Sequence, residues 1–66
     1  MQFTLEQIRM ADMICFPEDF NLLIEKHSDF SGLAFFDKTL FGFIKEYGHN
    51  PEMLAIAEKM IVDLLS

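Results

Sequence analysis

A chain of 66 residues with a single cysteine forms one domain at most and cannot be stapled by a disulfide of its own. Eleven acidic against five basic side chains leave a net charge of −6, which argues against a phosphate-binding basic face and against an anionic membrane surface. Apolar residues still make up 52% of the sequence, with eight Phe and five Met, more than a lone core of this size accommodates, so a partner surface is expected.

The first helix is predicted over Leu5 to Phe16. Thr4 is a natural N-cap, Gln7 completes a capping box, and Phe3 stands where it can staple onto Ile8. Leu5, Ile8 and Cys15 share one side of the helix, while Met10 and Ile14 lie nearly opposite. A helix apolar on two sides is sandwiched, and its second wall is either another helix of the same chain or a second subunit. Asp12 falls inside the apolar arc, between Leu5 and Ile8, so its carboxylate needs a donor.

The second helix is predicted over Pro17 to His27, with proline in the first turn and Glu18 and Asp19 at the positive end of the dipole. Phe20, Leu23, Ile24 and His27 share a face, and Leu22 stands on the polar side. The third helix is predicted over Leu33 to Tyr47. Leu33, Phe36, Leu40, Phe43, Ile44 and Tyr47 follow helical spacing, and Phe41 widens that face. Gly48 follows in the favoured C-terminal position. Asp37 is out of place inside this stripe and can instead cap a helix beginning at Lys38. The fourth helix is predicted over Pro51 to Leu65, capped by Asn50. Met53, Leu54, Ala57, Met60, Ile61 and Leu64 make a wide stripe around small Ala57, similar to two turns of a coiled-coil seam. The expected fold is all-α, one domain over residues 1–66. It is a compact bundle of three to four short antiparallel helices, completed by dimerisation.

Few residues suggest chemistry. His27 and His49 each lack a second histidine at helical spacing, and no Cys-x-x-Cys is present to hold zinc. Cys15 lies in apolar context, which suits a core thiol rather than a nucleophile. The three glycines are isolated, so no phosphate loop forms, and no Gly-x-Ser-x-Gly elbow occurs. No enzyme, cofactor or metal is therefore expected. The longest apolar run, Leu33 to Ile44, is broken by Asp37 and Lys38, and the N-terminus lacks a signal-peptide pattern. A cytosolic protein is expected, the cytosol of a host cell included.

The expected function is protein–protein interaction, as a homo-oligomeric inhibitor, adaptor or regulatory subunit, with another protein as partner. Direct nucleic-acid or membrane binding is not expected. The candidate interface is Met10, Ile14, Phe35, Phe41, Phe43, Leu54, Ala57, Ile61 and Leu64. Glu18, Asp19, Glu25 and Asp29 form a candidate acidic face. Two alternatives stand beside this reading. One is an acidic nucleic-acid mimic that occupies a DNA- or RNA-binding surface. The other is a small-ligand or metal-binding bundle.

Overall fold

Thr4 and Gln7 satisfy each other's backbone. The Gln7 amide donates to the Thr4 hydroxyl at 3.2 Å, and the Thr4 amide donates to Gln7 Oε1 at 2.8 Å. From this capping box runs α1, Leu5–Ile14. The computed structural model describes residues 2–28 and 38–66. Helix α1 stops two residues short of its predicted end, because Cys15 and Phe16 are both extended. Pro17 disfavours helical backbone at the residue before it, so the chain turns there and starts a separate helix. That helix is α2, Pro17–His27, with Glu18 and Asp19 in its first turn and Lys26 and His27 in its last.

The third helix, α3, spans Leu40–Tyr47, later than the periodicity predicts. Thr39 is extended and caps it, accepting from the Gly42 amide at 3.0 Å. Leu33, Phe35, Phe36 and Asp37 lie outside the described residues. The other two first-turn donors find an acceptor far away in sequence. Asp12 of α1 takes the Leu40 amide on Oδ1 at 2.6 Å and the Phe41 amide on Oδ2 at 3.1 Å. Its place in the apolar arc is thereby explained within one chain, without an interface contact. A carboxylate at a helix N-terminus also meets the positive end of the dipole.

Gly48 ends α3, though not through a left-handed backbone, since its φ of −65° and ψ of −13° are helical. Its amide donates to the Ile44 carbonyl at 2.7 Å, and a Cβ at this position would run into that same oxygen. Close approach, rather than handedness, requires glycine here. Asn50 then accepts from the Glu52 and Met53 amides at 2.9 and 3.3 Å and opens α4, Pro51–Leu65.

Helix α4 is the centre of the fold. It packs on α1, α2 and α3, and α1 also packs on α3. A helix with three neighbours needs a wide apolar stripe, and Met53, Ile56, Ala57, Met60 and Ile61 are all buried. The seam-like pattern of α4 is therefore used inside the chain. Phe43, Ala57 and Ile61, expected at an interface, are corrected to core: each is at most 1% exposed. Phe20 and Phe43 meet with ring centroids 6.3 Å apart, and Phe43 meets Tyr47 at 5.3 Å, both tilted as aromatic quadrupoles prefer. Ala11 and Ala57 are fully buried, and their small side chains let helix backbones approach closely. Phe3 packs against this core from the N-terminal side.

The surface of 4474 Å² and radius of gyration of 10.5 Å match a compact chain of this mass, for which about 4,300 Å² and about 11 Å are usual. Among the described residues there is no strand, and no helix is long and apolar enough to cross a membrane.

Candidate interaction surface

The core consumes one side of α1 and leaves the other bare. Ile8, Ala11 and Cys15 are buried, while Met10, Met13 and Ile14 are 51, 80 and 52% exposed. At 100° per residue these three side chains occupy one outward arc of about 100°. Of the interface expected from sequence, Met10, Ile14 and Phe41 are exposed, and Leu54 and Leu64 are half-buried. Phe35 lies outside the described residues. Met13, Phe16 and Val62 are exposed apolar residues that the reading by helical faces missed. For Met13 the signal was available, since it sits beside Met10 on the wheel.

Helices α1 and α2 diverge from the Cys15–Phe16 corner and do not pack on each other. Between them lies a groove of about 320 Å³. Ile14 and Cys15 form one wall, Asp19, Leu22, Leu23 and Lys26 the other, and Leu64 of α4 also lines it. Leu22 is 65% exposed on its rim. The Cys15 thiol donates weakly to the Phe16 carbonyl at 3.7 Å. Burial, reinforced by the charges of Asp19 and Asp12, pushes this thiol up from its ordinary range, so it stays protonated as a packing residue.

Three residues of the expected acidic face lie on α2. Glu18, Asp19 and Glu25 are exposed and make no ion pair among the described residues. Asp29 lies outside the described residues. Leu22 sits three or four residues from each of these acids and from Lys26, hence beside all four on the helix surface. Lys26 is already engaged, with its Nζ 2.9 Å from Asp63 Oδ2.

His27 also turns to Asp63, donating from Nε2 to the same oxygen at 2.9 Å. The two residues lie 36 positions apart in sequence. Asp63 stands in the last turn of α4, where a negative charge opposes the dipole, and these two donors offset that. Hydrogen bonds from His27 first, then from Lys26, hold the Asp63 carboxyl below its ordinary range. The trio ties the C-terminal ends of α2 and α4 together. The Ser66 hydroxyl donates to the main-chain carbonyl of Asp63 at 3.0 Å. His49 is exposed in its turn. Among the described residues no group of three His, Cys, Asp or Glu is placed to hold a metal ion. In comparison with known proteins, the chain matches no family model, no curated sequence and no solved structure.

Proposed function

We propose that this protein acts by protein–protein interaction, as an acidic helical adaptor or inhibitor that self-associates through α1 and presents α2 to another protein. The observation that carries the reading is the outward arc of Met10, Met13 and Ile14, each at least half exposed on a chain whose core is already closed without them. Flexible Met side chains suit an adaptable contact surface. The second copy in this reading covers surface and adds nothing to the core. A binding rather than a catalytic role is part of the proposal. So is action in the cytosol, where the lone thiol of Cys15 stays reduced.

Light scattering over a dilution series tests it. A dimer is expected, and M10K with M13K should convert it to a monomer with unchanged helical circular dichroism. Wild-type protein that stays monomeric at every concentration removes self-association from the reading.

A further inference from the structure

We propose that the groove between α1 and α2 receives an amphipathic helix of another protein, through an apolar side chain flanked by Lys or Arg. The inference rests on the interaction reading above and names the chemistry of its partner. The groove exists because α1 and α2 each pack on α4 and not on each other. Its walls are apolar at Ile14, Leu22, Leu23 and Leu64, and its volume of about 320 Å³ suits inserted side chains.

Charge decides between occupants. Asp19 lines the groove without an ion-pair partner among the described residues, and the charge of Lys26, also in the lining, is answered by Asp63; Glu18 and Glu25, likewise without an ion pair, stand beside rim residue Leu22 on the helix surface. An apolar floor with one unpaired acid in its wall and two more beside Leu22 is complementary to an apolar residue set among bases. A second copy is disfavoured here. A two-fold dimer through this groove brings Asp19, Glu18 and Glu25 of one α2 toward the same acids of the other. Met10 and Met13 are not among the residues that line the groove, so self-association and helix capture share Ile14 and otherwise use different residues.

The test titrates isotope-labelled full chain with a synthetic amphipathic Leu/Lys peptide, and separately with its Leu/Glu counterpart, and follows amide shifts by NMR. With the Leu/Lys peptide, shifts should concentrate at Ile14, Cys15, Leu22, Leu23 and Leu64, and the Leu/Glu peptide should not bind. L22A should weaken binding about tenfold. The triple change E18Q/D19N/E25Q should also weaken it about tenfold and flatten its salt dependence. All four side chains are exposed, so these variants should keep the wild-type circular dichroism. A control triple, E46Q/E52Q/E58Q, should stay within about twofold of wild type.

Shifts spread over the whole acidic surface, or equal loss in the control triple, would mean unspecific charge attraction and overturn the proposal. Equal binding of both peptides overturns it too, because the rim then selects nothing. So do shifts at Leu22, Leu23 and Leu64 that appear on concentrating the chain alone, which assign the groove to a second copy. A chain that dimerises through α1 and ignores the Leu/Lys peptide sinks this inference and leaves the interaction reading standing. A chain that stays monomeric and binds neither peptide removes both.

Discussion

Asp12 provides from another helix two of the acceptors that the first turn of α3 lacks. Together with Thr39 it accounts for the three leading amides of that helix, so α3 begins where α1 dictates. D12A leaves the Leu40 and Phe41 amides without their acceptor and should cost about 1–2 kcal/mol. Urea unfolding measures the loss, and hydrogen exchange should quicken at those two amides. Asp63 makes a second long-range polar contact, and its consequence is a pH dependence. Its carboxyl is held below the ordinary range in the folded state, so its contribution is present above that range. The contribution fades as pH falls through the folded-state value. The urea midpoint of wild type should therefore drop more steeply below about pH 4 than that of D63N. Parallel curves for the two proteins would show that the His27 and Lys26 contacts do not stabilise the fold.

At the scale of elements, capping chemistry places most helix ends. Thr4, Pro17 and Asn50 start their helices where the sequence predicts, because each acts on its own neighbouring amides or backbone angles. Helix α3 departs from its prediction: its apolar spacing extends back to Leu33, yet the helix begins at Leu40. Periodicity reports which residues can share a face and says nothing about where a distant carboxylate will cap. Gly48 is informative for a different reason. Its helical backbone angles suggest that alanine would be welcome, since replacing glycine there restricts the unfolded chain. The Ile44 carbonyl stands in the way of the added Cβ. G48A is thus expected to destabilise by more than about 1 kcal/mol, seen as a lower thermal midpoint. A rise in that midpoint would show that the turn relaxes without cost.

At the scale of the whole molecule, a small chain closes a core around α4 and still displays Met10, Met13, Ile14, Phe16 and Leu22. A domain of this size rarely gains more than roughly 3–5 kcal/mol from its core, so the proposed association would add a substantial share of stability. If α1 self-associates as proposed, the thermal midpoint should rise as protein concentration increases, and M10K with M13K should remove that dependence. A wild-type midpoint independent of concentration would contradict dimerisation through this face.

The sequence by itself determined the helical class, the boundaries of α2 and α4, the capping box of α1, and the residues that face inward on α2. These follow from interactions within a turn or two of chain, which local spacing records. It also marked Met10, Ile14, Phe41, Glu18, Asp19 and Glu25 as surface candidates, and they are exposed. Tertiary structure alone decided that α4 is the central helix, and with it that Phe43, Ala57 and Ile61 are core rather than interface. It alone paired Asp12 with α3 and His27 with Asp63, and opened a groove between α1 and α2. An apolar stripe looks the same whether its neighbour is the same chain or another, because burial is non-directional. Only the path of the chain shows which stripes are covered and which are left bare.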